Sequence, residues 1–210
     1  MHTKESTLYP DLITFAQDIV KTFDLISTQR KTKLEKVSQY LTEKIANQQP
    51  IKVIVICTHN SRRSHLGQAW LQFAAEWYQI SQLQAYSGGT EATAFHPSAV
   101  QALTEIGWKI SPNTNDANPV YTASYGNAQP LDMFSKEYTH KTNPQNQFAA
   151  IMVCTQADEG CPFVIGAEAR FSIPYDDPKA FDHTELAQAK YAERSQEIAR
   201  EMFYVMSQVS

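Results

Sequence analysis

Cysteine is scarce in this chain of 210 residues: there are three, at positions 57, 154 and 161. So small and odd a number argues against a structural disulfide framework and for reactive or redox thiols in a reducing compartment. Long hydrophobic runs are missing too. None approaches the ~18 residues of a membrane span, and Met1-His2-Thr3-Lys4-Glu5-Ser6 leads into no signal-peptide core, so a cytoplasmic protein without a membrane partner is expected. Nor is there an excess of one charge. Eighteen Lys and Arg against 22 Asp and Glu leave a net −4, with the two signs interspersed. That pattern gives no reason to expect a nucleic-acid partner, and Arg30, Lys31, Lys33 and Lys36 read as one solvated helix face. The length suits one domain with a full core plus an accessory segment.

What the chain does contain is a concentrated stretch from Ile51 to Ser64. Val53, Ile54, Val55 and Ile56 are four β-branched residues in succession and read as a buried strand. Cys57-Thr58-His59-Asn60-Ser61-Arg62-Arg63-Ser64 follows, and an amphipathic segment from about Ser64 to Tyr78 reads as a helix. A loop between a strand and a helix N-terminus turns backbone N–H groups inward, and the helix dipole adds positive potential, so a tetrahedral oxyanion is attracted there. Thr58, His59, Asn60, Ser61, Arg62, Arg63 and Ser64 are therefore the candidate substrate-binding residues. The same amides and the two arginines favour the Cys57 thiolate and make it a candidate nucleophile. Arg63 can grip two oxyanion oxygens with its planar fork, and Ser64 can donate a hydrogen bond to the thiolate. The plainer alternative is a buried strand-end cysteine with two surface arginines.

A cysteine, five residues, an arginine and a serine on a strand, loop and helix resemble the low-molecular-weight tyrosine phosphatase superfamily, which includes the thioredoxin-coupled arsenate reductases. Cys57, Thr58, Asn60, Ser61, Arg63 and Ser64 match the reductase loop. His59 stands where the family has Gly and Arg62 where it has Cys, and both changes are expected to crowd the anion cradle.

Upstream, Leu12, Ile13, Ala16, Ile19, Val20 and Phe23 recur at helical spacing. Ser27 or Thr28 can cap a second helix with the stripe Leu34, Val37, Leu41 and Ile45, closed by Pro50. These helices, within an N-terminal extension over residues 1–50, are expected to pack on the core or serve a dimer interface. Downstream, Leu83 to Ser87 reads as a strand, Gly88-Gly89 as a turn, and Pro97 as the start of a helix that Gly107 ends. Residues 117–148 read as a hairpin or irregular flap. Its Tyr121, Tyr125, Phe134 and Tyr138 would cover the core or wall the active site. Ala149 to Cys154 is a second buried strand ending in cysteine, and Phe171 to Tyr175 a last short strand. Asp182 with Glu185 looks like a capping box for a final helix bearing Leu186, Ala189, Ile198, Met202 and Met206.

The resemblance extends to Tyr86-Ser87-Gly88-Gly89, to His96-Pro97 and, more sharply, to Cys154 through Cys161-Pro162, where the reductases carry their second and third redox cysteines around an acidic segment. It also implies that Asp177, directly before Pro178, is the general acid. Some of these reductases hold potassium beside the loop; the matching positions look like Asn60, Gln68, Ser87 and Asp116. With Gln68 in place of a carboxylate, no metal and no cofactor are expected.

These readings converge on an α/β fold: a four-stranded parallel sheet of order 2-1-3-4 flanked by helices over residues 51–210. In that order the strands ending in Cys57 and Cys154 are neighbours about 4.8 Å apart. Cys154 and Cys161 can join only if the segment between them unwinds, because seven helical steps span about 10 Å and a disulfide needs Cα atoms within about 7 Å. The function implied is arsenate reduction, with Cys57 attacking arsenate, Cys154 attacking Cys57, Cys161 attacking Cys154 and thioredoxin closing the cycle. The alternatives are a phosphomonoester phosphatase using Cys57, Arg63 and Asp177, against which the non-aromatic Lys179-Ala180 counts, and an oxyanion-binding protein without turnover.

Overall fold

The computed structural model describes residues 8–161 and 163–209, so the leader reading of Met1 to Ser6 and the proline at 162 lie outside it. The chain begins with α1 (Pro10–Ile19), a 3-10 continuation (Val20–Leu25) and α2 (Thr28–Ala46), then runs β1 (Ile51–Cys57), α3 (Arg63–Trp77), β2 (Leu83–Gly89) and α4 (Pro97–Thr104). Three short strands follow, β3 (Lys109–Pro112), β4 (Tyr121–Ser124) and β5 (Leu131–Met133). The rest is β6 (Phe148–Met152), α5 (Thr155–Gly160), β7 (Ala167–Ser172), a 3-10 turn (Pro178–Phe181) and α6 (Ala187–Ser207).

The main sheet is four-stranded and parallel in the order β2-β1-β6-β7. In the order of its own strands this is 2-1-3-4, the order expected for the sheet. β1 and β6 are the central strands and are buried almost throughout. That is what two faces covered by helices require, and it explains why both read as continuous apolar runs. Leu12, Leu34 and Leu41 from the N-terminal helices belong to the same core as Trp70 and Phe73 of α3 and Phe203 of α6. Ser27 caps α2 by accepting from the Arg30 amide at 3.2 Å. Arg30 is not part of a solvated face, however: its fork is bidentate on Glu201 of α6, both bonds 2.8 Å.

Several boundaries differ from the sequence reading. Gly88 and Gly89 are not a turn but the end of β2, paired with Ile56 and Cys57. The chain there runs beside Tyr138 and Thr58 so closely that a Cβ on Gly89 would lie 2.6 Å from the Thr58 carbonyl oxygen; it is contact with neighbouring backbone, not reversal of direction, that requires glycine. The last strand lies at 167–172 rather than 171–175, because the register places Phe148 opposite Ala167 and Met152 opposite Ser172. The flap contains a true hairpin, β4 and β5, which joins β3 in a three-stranded antiparallel sheet. Of its aromatics, Tyr125 is buried against Phe73 and Trp108, and Tyr121 packs edge-on against Phe95, so both serve the core. Finally, α6 starts at Ala187 with Leu186 as its N-cap, and Asp182 is not in a capping box.

Candidate functional site

β1 delivers Cys57 to the C-terminal edge of the sheet, and residues 58–62 turn around the N-terminus of α3. The turn is fastened from outside by its carbonyls. Thr90 and Glu91 amides donate to the carbonyls of Cys57 (3.2 Å) and Thr58 (2.8 Å), the His96 amide donates to that of Ser61 (2.9 Å), and Ser135 Oγ donates to that of His59 (2.9 Å). Among the described residues no amide from Thr58 to Arg62 donates to protein. With the carbonyls held outward, these amides and the first N–H groups of α3 form a concavity of donors of the kind that suits an anion. Asn60 sits at φ 43°, a left-handed conformation that Asn tolerates better than most residues.

The cysteine is set into a short polar chain. Cys57 Sγ lies 3.1 Å from Ser64 Oγ, and Asn60 Nδ2 donates to that oxygen at 2.8 Å. Because the Asn60 amide occupies an acceptor position on Ser64, the hydroxyl proton is free to point at sulfur, which is the arrangement a thiolate needs. Cys57, Asn60, Ser64 and Ser61 are all buried.

Arg63, also buried, reaches across to the loop after β7. Its Nη1 donates to the Tyr175 carbonyl at 2.8 Å and its Nη2 to the Asp177 carboxylate, while its buried Nε has no partner among the described residues. Asp177 also accepts from the Lys179 amide at 3.1 Å and caps the 3-10 turn that follows. The candidate acid and the candidate anion grip therefore touch directly. Asp176, with its side chain almost fully exposed, has no such position.

Arg62 does not grip the cradle as its place in the loop suggested. Its Nε donates to Tyr191 of α6 at 2.5 Å and its Nη2 to Asp182 at 2.6 Å, and Tyr191 in turn donates to Asp182 at 2.7 Å. His96 stacks on Tyr191 with its Nε2 3.7 Å from Asp182. Burial opposes ionisation of Asp182, but the Tyr191 hydrogen bond and the Arg62 charge outweigh it and hold this carboxyl below its ordinary range. Consecutive arginines thus fasten both ends of one short turn, Arg63 at Asp177 and Arg62 at Asp182. The His59 ring is directed at Glu91, 3.8 Å away, and is partly exposed, so it does not fill the cradle.

The second cysteine meets the loop. Cys154 Sγ is 3.4 Å from Thr58 Oγ1 and accepts from the Ala157 amide at the N-terminus of α5. The parallel register of β1 and β6, Ile56 opposite Met152, makes this contact. Cys161 closes the six-residue α5 at its other end and is partly exposed. The segment is clasped to β7: Arg170 donates to the Asp158 carbonyl at 2.6 Å and carboxylate at 2.5 Å, and Ser172 Oγ to the same carboxylate at 2.5 Å.

Of the four positions matched to a cation site, Asn60, Gln68 and Ser87 are buried, whereas Asp116 is exposed and accepts from the Asn118 amide. The residue that reaches Asn60 instead is Lys136, whose amide donates to Asn60 Oδ1 at 2.9 Å. Neither Lys136 nor Tyr191 carried a local signal, since each is brought in by tertiary contact. No group of three or more metal-ligating side chains occurs among the described residues.

No family model matches the chain. Arsenate reductase 2 of Staphylococcus epidermidis is 27% identical over 128 residues, 60% of this chain and 77% of that protein. An arsenate reductase of Halalkalibacterium halodurans is 26% identical over 133 residues, 63% of this chain and 78% of its own length. A low-molecular-weight phosphotyrosine phosphatase from Vibrio cholerae O395 shares the fold, with a TM-score of 0.52 at 14% identity, covering 75% of this chain and 95% of that one. The chain has the fold of the low-molecular-weight phosphotyrosine phosphatases and is similar in sequence to proteins named arsenate reductase. The Arg62 contacts to Asp182 and Tyr191 explain how a charged residue is accommodated at a loop position where the resemblance expects cysteine.

Proposed function

We propose that this protein reduces arsenate to arsenite through a relay of Cys57, Cys154 and Cys161. The observation that carries the reading is Cys154 Sγ lying 3.4 Å from Thr58 Oγ1, inside the wall of the anion loop. A phosphatase needs Cys57, Arg63 and Asp177 and has no use for a second thiol there, whereas a reductase requires one.

In this mechanism arsenate is held by the loop amides and by Arg63, which exchanges its Asp177 bond for an oxyanion oxygen. That exchange releases Asp177 to take up and deliver a proton. Cys57 thiolate forms an S–As bond as one arsenate oxygen, protonated from Asp177, leaves as water. Cys154 thiolate then attacks Cys57 Sγ; the S–As pair passes to arsenic, arsenic(V) becomes arsenic(III), and arsenite departs from a Cys57–Cys154 disulfide. Cys161 thiolate attacks Cys154 and frees the Cys57 thiolate. A dithiol reductant of the thioredoxin kind reduces the Cys154–Cys161 disulfide. Formation of the Cys154–Cys161 bond requires α5 to unwind and the Asp158 clasp to open. Gly160, where an added Cβ would meet nothing within 4 Å, imposes no packing obstacle.

Single-turnover chemistry tests the relay. In Cys161→Ser one arsenate per chain should be reduced, with the Cys57–Cys154 disulfide found by peptide mapping. Full multiple turnover in Cys154→Ser, or hydrolysis of p-nitrophenyl phosphate with no arsenate reduction in the unmutated chain, would replace this reading with the phosphatase.

A further inference from the structure

Lys136 is 5% exposed, and among the described residues no carboxylate lies within ion-pair distance of its ammonium. Its polar partner is the Phe134 carbonyl at 3.3 Å, and the Phe134 ring lies 4.4 Å away. Burying a cation without a counter-charge is unfavourable and is rarely retained without a use. The lysine lines a cavity of about 690 Å³ between α3 and the small sheet. Two other residues of that wall, Gln68 and Asn143, are buried with Oε1 and Oδ1 lacking a hydrogen-bond donor. Among the described residues these two acceptors are the buried, unpartnered side-chain atoms of that wall other than the lysine's own charge, and neither supplies it with a counter-charge.

The backbone of Lys136 is locked to the anion loop from behind. Its amide donates to Asn60 Oδ1 at 2.9 Å, and its carbonyl accepts from Gly89 at 2.9 Å. Asn60 leads through Ser64 to Cys57. We propose that the Lys136 ammonium is the fixed internal cation of the loop, a positioning residue that raises oxyanion affinity and favours the Cys57 thiolate from behind the cradle. The counter-charge that it lacks inside the protein is the anion held on the other side of Asn60. This rests on the oxyanion reading of the loop but not on the three-cysteine relay.

The titratable groups around Lys136 are His65 of α3, which its charge reaches, and those lining the same two cavities: Glu76 from α3, Tyr86 from β2, Tyr125 and Asp132 from the small sheet region, and Glu137 and His140 beyond it. Burial, then the Lys136 charge, hold His65 well below its ordinary value, so it stays neutral. Tyr125 is pushed up to about 12, chiefly by burial. Lys136 itself is pushed down to about 8 by burial.

The experiment is calorimetric titration of sulfate, which does not change charge in this range, into the full chain carrying Cys57→Ser so that the thiol does not titrate. Affinity should fall roughly tenfold, the scale of one charge in a partly polar interior, as pH rises through about 8. With Lys136→Met added, affinity at pH 6.5 should drop to the high-pH level and lose that step. Lys136→Arg should keep high affinity without it. His140 and the carboxylates remain in all three proteins, so the difference isolates Lys136. Equal sulfate affinity with lysine and methionine at every pH would overturn the proposal while leaving the loop reading intact. No sulfate binding in the parent would overturn both. Should neither substitution fold, a sulfate affinity of the Cys57→Ser parent that is flat between pH 6.5 and 9.5 would overturn it alone.

Discussion

Replacing Lys136 with methionine should stabilise the protein at neutral pH, although it removes a hydrogen bond. Burial lowers the ammonium from 10.5 to about 8, a gap that corresponds to about 3 kcal/mol against the folded state when both forms are protonated. That gap is the net balance of the charged form, the contacts of the ammonium with the Phe134 carbonyl and ring included, so methionine should be favoured by up to about 3 kcal/mol at pH 7. The sign across pH follows from proton counting. Between about 8 and 10.5 the unfolded chain holds more of this proton than the folded one, so the wild-type contribution improves as pH rises through that window. The advantage of methionine must therefore shrink over the same interval. Urea unfolding of both proteins at pH 7, 8, 9 and 10.5, with the difference taken at each, measures this. A methionine variant already less stable at pH 7, with a difference independent of pH, would refute the account of an uncompensated buried charge.

Asp182→Asn should weaken the hold of Arg62 and cost about 2 to 4 kcal/mol, since one partner of a mostly buried pair is lost. The contribution is present above the unfolded carboxyl value of about 4 and is lost as pH falls through the lowered folded value, so the deficit seen by chemical unfolding at pH 7 should diminish in acid. Gly89→Ala places a Cβ 2.7 Å from the Asn60 amide nitrogen; it should cost about 1 to 3 kcal/mol and reduce sulfate affinity, and a variant with wild-type binding would contradict the close packing behind the loop. Arg170→Met opens the clasp on Asp158 and should hasten formation of the Cys154–Cys161 disulfide under mild oxidation, measured by thiol trapping; an unchanged rate would show that the clasp does not limit unwinding.

Much of this fold was legible because its signals are local. Four β-branched residues before Cys57 and the apolar run before Cys154 can only be buried strands, and once β1 and β6 are neighbours the approach of Cys154 to the loop follows. Ser27 as a cap and the contact of Ser64 with Cys57 were legible for the same reason. The differences arise where tertiary contacts decide. Asp182 has the local appearance of a cap, yet Arg62 and Tyr191, far apart in sequence, claim its carboxylate. Gly88 and Gly89 look like a turn because the close approach of Tyr138 and Thr58 leaves no mark in neighbouring residues. Lys136 is a single lysine in a polar stretch, and nothing near it in sequence shows that Asn60 and the cavity beside α3 bury it.

The most direct test of the central claim places two assays on the same wild-type preparation: arsenate-dependent oxidation of NADPH in the presence of thioredoxin and its reductase, and hydrolysis of p-nitrophenyl phosphate. The account predicts sustained arsenate turnover that stops when thioredoxin is omitted and is abolished in Cys154→Ser and Cys161→Ser, with any phosphate hydrolysis unaffected by those two substitutions. Robust phosphate hydrolysis with no thioredoxin-dependent arsenate turnover would contradict it.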